Sequence, residues 1–232
     1  MNKMKKKSII VVGASRGIGK EIVLQLAEDS SYTIYALSRN LEKMQESFAS
    51  LENVHCFAFD LAKNDVREQA ELIFSQLDTI DILINNAGKL VNKPFLELNK
   101  EDLSDCYQVN AMGVMQTVQA ALPKMKVAHI VNISTIGGFQ GSVKFPGLTA
   151  YSTSKAAVVS FTELFAEEYK ETTIKMNCLC LGAAQTEMLE EAFPEYEAPV
   201  SASKMAEYIV NFALTADQWM NGKVIPVSLS TP

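Results

Sequence analysis

Tyr151 and Lys155 lie four residues apart in the segment from Ala150 to Ala157, which can open a helix. Side chains at this spacing leave a helix on the same side. A phenol with a pKa of about 10 rarely loses its proton at neutral pH, but an ammonium group one turn away favours the phenolate. The pair could therefore exchange a proton with a substrate. The alternative interpretation is a Tyr and a Lys that merely share an exposed helical face.

Length and charge limit the classes of protein to consider. The chain has 232 residues, 48% of them apolar, which is enough for one sizeable core. Its formal charge of -6 gives no overall basic field, so we expect no nucleic-acid partner. No apolar stretch approaches membrane-spanning length, and we expect a cytoplasmic protein with no membrane contact. A mobile basic N-terminus over residues 1–7 should precede a single domain over residues 8–232.

The cysteines and histidines are too scattered to predict a metal site. The chain has two histidines, His55 and His129, and four cysteines without the spacing of a metal centre. We therefore expect no metal and interpret the cysteines as buried free thiols. They are Cys56, Cys106, Cys178 and Cys180.

Short β-branched runs alternate with longer helical patterns along the whole chain, which is typical of βαβ units. The pattern predicts an α/β protein, a single-domain Rossmann-type doubly wound parallel sheet of about seven strands with helices on both faces. The predicted strands are Ser8 to Val12, Thr33 to Leu37, Val54 to Phe59, Ile80 to Asn85, His129 to Ser134, Ile174 to Cys180 and Lys223 to Val227. The predicted helices are Gly17 to Glu28, Leu41 to Leu51, Asp65 to Leu77, Lys100 to Leu122, Tyr151 to Tyr169 and Ala202 to Thr215.

A glycine-rich loop connects the first predicted strand to the first predicted helix. Gly13 permits a tight turn, Gly17 lets backbone N–H groups approach a pyrophosphate, and Gly19 allows the helix to pack closely on the strand. Glycines also serve ordinary turns, so the order of strand, loop and helix carries the interpretation. We expect the loop to bind a dinucleotide through Gly13, Ser15, Arg16, Gly17, Ile18 and Gly19.

The end of the second predicted strand indicates which dinucleotide is preferred. An acidic residue there would hold the ribose hydroxyls and repel a 2′-phosphate, but the sequence reads Leu37-Ser38-Arg39-Asn40. Arg39 offers a planar fork suited to phosphate, with Arg16 as a second clamp. We therefore expect NADP, with NADPH preferred over NADH, bound beside Ser38 and Arg39. Alternatively, Arg39 is a solvent-exposed residue at a helix start.

The glycine loop, Asn85-Asn86-Ala87-Gly88 after the fourth strand, and Tyr151 with Lys155 occur together in the order of one family. With these motifs the chain resembles the short-chain dehydrogenase/reductase family over nearly its whole length. The resemblance implies further cofactor-binding positions: Asp60 and Leu61 beside the adenine, Asn86, Ala87 and Gly88 at the sheet and ribose, and Gly182 and Thr186 near the nicotinamide. Structural alternatives are a turn cap at Asp60, buried backbone bonds at Asn86 and a bend at Gly182.

The resemblance also implies the remaining catalytic groups. Asn110 matches the family asparagine that kinks its helix and holds a water in a proton relay. The hydroxyl that binds the substrate oxygen is open, because the family presents Ser-Ser-x-x-Gly where this chain has Ser134-Thr135-Ile136-Gly137-Gly138. Ungapped alignment puts Thr135 in the catalytic position, and Ser134 also has a glycine three residues later. Either hydroxyl fits the pattern.

These implications give a concrete function: reduction of a small-molecule ketone or aldehyde by NADPH, or the reverse oxidation, with Tyr151 as acid and base. Lys155 would lower the Tyr151 pKa and hold the nicotinamide ribose. The resemblance also implies a homodimer or homotetramer through the helices Lys100 to Leu122 and Tyr151 to Tyr169. Residues after Thr186 should form a lid. The alternatives are an NADP-binding sensor or scaffold with little turnover, and an NAD-linked alcohol dehydrogenase.

Overall fold

The computed structural model describes residues 6–229, in which strands and helices alternate. The strands are β1 (Lys7–Val12), β2 (Tyr32–Ser38), β3 (Val54–Ala58), β4 (Ile82–Asn85), β5 (Ala128–Thr135), β6 (Ile174–Leu181) and β7 (Val224–Val227). The helices are α1 (Gly17–Ala27), α2 (Leu41–Ser47), α3 (Val66–Phe74), α4 (Lys100–Tyr107), α5 (Gly113–Ala121), α6 (Thr149–Glu168), α7 (Glu187–Ala192) and α8 (Ala202–Thr215). The predicted α/β class is confirmed.

The strands form one seven-stranded sheet in the order β3-β2-β1-β4-β5-β6-β7. All neighbouring strands are parallel. The chain moves outward from β1 through β2 to β3, then returns to place β4 on the other side of β1. The carboxyl ends of β1 and β4 therefore flank the point where the strand order reverses, and ligands bind at this point in such sheets. The predicted doubly wound sheet of seven strands is confirmed.

Both faces of the sheet are covered by helices, and β1 illustrates how the sequence encodes this. Ile9 and Val11 lie in one apolar cluster with residues of α1 and α8. Ile10 and Val12 lie in the other cluster with residues of α3 and α6. Consecutive side chains of a strand point to opposite faces, so a strand buried on both sides must be apolar throughout.

The first strand begins one residue earlier than the sequence predicted. Lys7 pairs with Tyr32, and its backbone N–H donates to the Ser31 oxygen at 3.0 Å. The segment expected to be mobile, residues 1–7, therefore gives its last residue to β1. Residues 1–5 of that segment and residues 230–232 lie outside the described range.

The predicted helix from Lys100 to Leu122 is helical from Lys100 to Ala121, but it is not one regular α-helix. A π-helical turn at Gln108–Met112 joins α4 to α5. The turn contains Asn110, which is fully buried and bonds to the backbone of Lys89 and to the side chain of Ser154. A wide turn that brings a polar side chain to buried partners is a common use of the π-helix.

The cysteines of the described range are all free. Cys106, Cys178 and Cys180 are buried, as predicted, whereas Cys56 on the edge strand β3 is only partly buried. Across residues 6–229, no helix combines the length and the apolar character that crossing a membrane requires.

Candidate active site

The glycine loop ties together the carboxyl ends of three strands. The backbone N–H groups of Gly13 and Ala14 donate to the Leu37 oxygen of β2 at 2.7 and 3.2 Å. The Asn86 side chain, just after β4, donates to the Gly13 oxygen at 3.1 Å. Gly13 has a φ of 86°, and a Cβ there would lie 2.6 Å from the Ala87 Cα. Only glycine fits this junction of β1, β2 and β4.

The N-terminus of α1 has the features of an anion site. Arg16 is its N-cap, the Arg16 side chain makes no capping hydrogen bond, and the first turn holds no acidic residue. The first N–H groups of a helix have no partner within the helix, and the helix dipole is positive there. Gly19 is packed so closely that a Cβ would lie 2.0 Å from the Gly13 oxygen. The free N–H groups at the start of α1 therefore fit the pyrophosphate of a dinucleotide.

The predicted ribose end of the site lies where the loop meets β2. The Ser38 hydroxyl donates to the Ser15 hydroxyl at 2.8 Å, which joins loop and strand. Arg39 is exposed, and within residues 6–229 no side chain pairs with its guanidinium. The next residue, Asn40, caps α2 by accepting from the Lys43 N–H at 3.0 Å. The loop and Arg39 therefore border the same corner of the site.

Arg16 already has a partner. Its guanidinium forms an ion pair with Glu191 of α7, including an Nη2 to Oε2 distance of 3.1 Å. The hydrogen bond to Glu191 raises the pKa of Arg16, and the same bond lowers the pKa of Glu191. The sequence predicted Arg16 as a phosphate clamp, and the structure instead places it on a carboxylate.

The positions expected beside adenine also make structural contacts. The Asp60 carboxylate accepts from the Ala62 N–H at 3.0 Å, which forms a local turn. Leu61 is 4% exposed and belongs to an apolar cluster, where it faces Gly113 of α5. Asp60 thus makes the turn that was its structural alternative, and Leu61 is a core residue.

Lys155 is buried at the carboxyl ends of β4 and β5. Its amine donates to the Ala87 oxygen at 3.1 Å and to the Ile133 oxygen at 2.8 Å, and the residue is 2% exposed. Burial lowers the pKa of Lys155 to about 8. This amine fixes the start of α6 against the sheet.

Tyr151 lies one turn before Lys155 and is partly exposed. Desolvation by the surrounding protein, with a smaller contribution from Cys106, raises the pKa of Tyr151 to about 12. The nearby Thr135 side chain acts in the opposite direction. Lys155 is not among the causes of this shift, and the net direction is upward because desolvation dominates, so the lowering of the Tyr151 pKa by Lys155 stays a prediction.

The structure separates the two hydroxyls that the sequence left open. The Ser134 hydroxyl donates to the Lys155 backbone oxygen at 2.9 Å and is 3% exposed, so it anchors β5 to α6. The Thr135 side chain lies near the Tyr151 phenol and opposes the rise in its pKa, and the Thr135 hydroxyl accepts from the Gly137 N–H at 3.4 Å. Thr135, and not Ser134, therefore lies with the phenol.

Asn110 and Gly88 complete this cluster. The Asn110 side chain accepts from the Lys89 N–H at 2.7 Å and donates to the Lys89 oxygen and the Ser154 hydroxyl, both at 2.9 Å. A Cβ at Gly88 would lie 3.5 Å from the Asn110 oxygen and 3.5 Å from the Lys155 amine. The three predicted positions Gly88, Asn110 and Lys155 are therefore brought together.

The segment after β6 crosses the glycine loop. Gly182 packs against the end of β7, since a Cβ there would lie 2.5 Å from the Ser228 hydroxyl. Thr186 caps α7 by accepting from the Leu189 N–H at 3.3 Å. Its methyl carbon would lie 3.2 Å from a Cβ at Gly17, so Thr186 sits on the loop. The predicted lid thus contains a short helix, α7.

Comparison with known proteins decides the family. Residues 7–197 match the family model for short chain dehydrogenases. The chain belongs to the short-chain dehydrogenase family, whose members are oxidoreductases. An uncharacterised oxidoreductase of Staphylococcus saprophyticus is 35% identical over 199 residues, which cover 82% of this chain and 79% of that protein. The 3-oxoacyl-acyl-carrier-protein reductase of Aquifex aeolicus is 29% identical over 244 residues, with 97% of each chain covered.

Solved structures agree with this membership. A short chain dehydrogenase from Escherichia coli CFT073, complexed with NADPH, is 25% identical and has a TM-score of 0.85. The match covers 96% of this chain and 97% of that one. The resemblance stated from the motifs is confirmed.

Sequence reasoning missed two residues of this short-chain dehydrogenase site. Ser154 bonds to Asn110 and to the Tyr151 backbone oxygen at 2.8 Å. Its only sequence signal is a small polar residue directly before Lys155. Glu191, the partner of Arg16, lies 175 residues away along the chain, and no local pattern connects the two.

The glycine loop gives a prediction about stability. Gly13→Ala should destabilise the protein more than Gly141→Ala, although both glycines have positive φ, 86° and 82°. A Cβ at Gly141 would have nothing within 4 Å, so only backbone strain of about 1–2 kcal/mol applies there. At Gly13 the collision with Ala87 adds to the strain, and we expect a loss on the order of 3 kcal/mol or more. Urea unfolding of both variants measures the difference, and equal losses would contradict the close approach.

Lys155 gives a prediction about pH. Because its folded-state pKa of about 8 lies below its usual 10.5, the unfolded chain binds more protons between these values, and stability rises with pH there. Relative to Lys155→Met, the wild-type free energy of unfolding should increase by about 2 kcal/mol from about pH 7.5 to about pH 9.5. Urea titrations at both pH values test this. A difference between the two proteins that stays constant with pH would mean that the amine keeps its ordinary pKa.

Proposed function

We propose that this chain is an NADP(H)-dependent oxidoreductase that reduces a ketone or aldehyde to an alcohol, or catalyses the reverse reaction. The observation that carries the proposal is the position of Tyr151 one helical turn from the buried amine of Lys155, with the Thr135 side chain near its phenol. Two neighbouring hydroxyls can both bind one carbonyl oxygen. They lie next to Lys155 at the carboxyl ends of β4 and β5, beside the predicted cofactor site.

Tyr151 is the proposed proton donor. Its raised pKa, about 12, keeps the phenol protonated at neutral pH, so it is ready to donate. Reduction turns the carbonyl oxygen into an alkoxide, which is a stronger base than a phenolate and takes the phenol proton. The same pKa makes the oxidation direction depend on high pH, because oxidation needs Tyr151 as a base. Thr135 would donate a hydrogen bond to the substrate oxygen and orient it.

Lys155 and Asn110 are the proposed supporting groups. An ammonium has three N–H donors, and Lys155 uses two on the Ala87 and Ile133 oxygens, which leaves one for a ribose hydroxyl. Asn110 is a positioning residue in this proposal, because it holds the Lys89 backbone after β4. The water relay implied by the family resemblance would start at this asparagine.

Several features support a nicotinamide dinucleotide with a 2′-phosphate. The uncapped N-terminus of α1 suits the pyrophosphate, and the exposed guanidinium of Arg39 suits the 2′-phosphate. The Escherichia coli neighbour complexed with NADPH supports the same choice. When bound, NADPH supplies the hydride that reaches the carbonyl carbon.

The substrate class and assembly are further parts of the proposal. The Aquifex aeolicus relative is named as a 3-oxoacyl-acyl-carrier-protein reductase, which makes 3-oxoacyl thioesters a first choice of test substrate. Exposed apolar residues between α4 and α6 favour a homodimer or homotetramer that buries them. They are Leu103, Tyr107, Met112 and Leu164. The proposed location of the enzyme is the cytoplasm.

Replacing Tyr151 tests the reaction. With a carbonyl compound that the wild type reduces, Tyr151→Phe should lower the rate of NADPH oxidation by about 100-fold or more, because the proton donor is lost. Tyr169→Phe, the same change just beyond the other end of α6, is the matched control and should keep turnover. The assay follows NADPH oxidation across 3-oxoacyl thioesters, cyclic ketones and aldehydes. Full activity of Tyr151→Phe would rule out Tyr151 as the donor.

Replacing Arg39 tests the cofactor preference. Arg39→Asp should weaken NADPH binding by about tenfold or more, while NADH binding changes little or improves, because a carboxylate repels the 2′-phosphate and can hold ribose hydroxyls. Arg67→Asp makes the same charge change on α3 and serves as the control. Fluorescence titration with both cofactors measures the affinities. Equal losses for NADPH and NADH would count against a 2′-phosphate site at Arg39.

A further inference from the structure

Helix α7 presents acidic side chains to the loop that should bind an anionic cofactor. Both carboxylate oxygens of Glu191 face the two terminal nitrogens of Arg16. A carboxylate oxygen of Glu187 would lie 3.5 Å from a Cβ at Gly17, at the start of α1. The lid therefore places negative charge where the cofactor's own negative charges are expected.

Arg16 and Arg39 border one corner of the site. The Ser15 and Ser38 hydroxyls are bonded at 2.8 Å, and each of these serines directly precedes one of the arginines. A 2′-phosphate held by Arg39 at the end of β2 would therefore come near Arg16. The planar fork of a guanidinium binds phosphate and carboxylate in the same bidentate way. A phosphate and Glu191 consequently compete for one group.

We propose that Glu191 is a specificity-determining residue that competes with the 2′-phosphate of NADP(H) for the guanidinium of Arg16. This inference rests on the proposed function. A cofactor without the 2′-phosphate leaves the ion pair intact, whereas NADPH must break it. Glu191 thereby reduces the affinity advantage of NADPH over NADH.

The same competition couples cofactor binding to the lid. Among the described residues, side-chain contacts at the C-terminal half of α7 are the Arg16–Glu191 pair, a bond from the Asn92 side chain to the Ala192 oxygen at 3.0 Å and a local bond from the Gln185 side chain to Glu190 at 2.8 Å. Loss of the ion pair leaves this end of the lid held by Asn92 and by the local Gln185 bond. The 2′-phosphate is therefore the part of the cofactor that loosens α7 above the site.

The expected change in NADPH affinity is small because the Arg16–Glu191 ion pair is partly exposed to solvent. The Arg16 and Glu191 side chains are 36% and 61% exposed, and exposed pairs are weak and screened by salt. We expect Glu191→Gln to tighten NADPH binding by about three- to fivefold at low ionic strength. The gain should shrink at high salt, and NADH binding should stay within about twofold.

The experiment titrates NADPH and NADH into the wild type, Glu191→Gln and Glu190→Gln. Glu190 lies on the same helix and bonds to Gln185 rather than to an arginine, so Glu190→Gln makes the same charge change without touching Arg16. Only Glu191→Gln should tighten NADPH. In an Arg16→Gln background, Glu191→Gln should have no effect, because the competed group is gone.

A second measurement reads the lid directly. Hydrogen exchange in α7 should increase when 2′,5′-ADP binds and stay unchanged when 5′-AMP binds, since only the first carries the 2′-phosphate. Neither probe has a nicotinamide, so contacts between that ring and the lid cannot change the exchange in α7. Equal exchange with both probes would contradict the loosening of α7 by the 2′-phosphate.

The outcomes separate the two proposals. If the wild type binds NADPH but Glu191→Gln binds it no more tightly than Glu190→Gln does, the competition is wrong and the proposed function stands. Weaker NADPH binding by Glu191→Gln also overturns the competition, because the carboxylate would then assist the cofactor. If the wild type binds neither NADPH nor NADH, the proposed function fails and the inference fails with it.

Discussion

The amine of Lys155 joins three elements of the site through two backbone carbonyls. It leaves α6 and binds the Ile133 oxygen of β5 and the Ala87 oxygen just after β4. Burying an ammonium is unfavourable unless it is well bonded, and the lowered pKa of Lys155 reflects that cost. The buried amine nevertheless lies beside the candidate catalytic side chains. Tyr151 precedes this residue by one helical turn, and Thr135 follows Ile133 by two residues, so the amine sets the position of both hydroxyls.

The fold could be predicted in outline because its pattern is local. Strands covered on both faces are apolar throughout, as in Ile9 to Val12, and α8 begins and ends at the residues the sequence predicted. The π-helical turn between α4 and α5 could not be predicted from this pattern, although the family resemblance implied a kink at Asn110. It depends on bonds from Asn110 to Lys89 and Ser154, which lie in other segments. A helical pattern contains no information about partners that only the tertiary structure supplies.

In the candidate site, too, the local sequence predicted some features, whereas others depend on tertiary packing. Residue types and spacing located the loop, the phenol and the amine, but Ser134 and Thr135 could not be told apart because both hydroxyls fit the motif and both meet α6. Ser134 bonds to the Lys155 backbone and Thr135 lies near Tyr151, a difference that depends on how α6 packs on β5. The direction of the Tyr151 pKa was missed for a related reason. Spacing gives the distance between charges, whereas desolvation depends on the burial that the whole fold creates.

The two arginines at the predicted ribose illustrate how residues of one type acquire different roles. In the sequence both are cations beside a cofactor motif. In the described structure Arg39 is exposed without a paired carboxylate, and Arg16 is bound to Glu191 on the lid. Arg39 can attract a phosphate at any time, but Arg16 can do so only when α7 releases it. On the competition proposed for Glu191, cofactor selection would depend on the lid as well as on the glycine loop and β2. Counting charges at the motif alone overstates the positive charge that is free in the described structure, because Arg16 is paired.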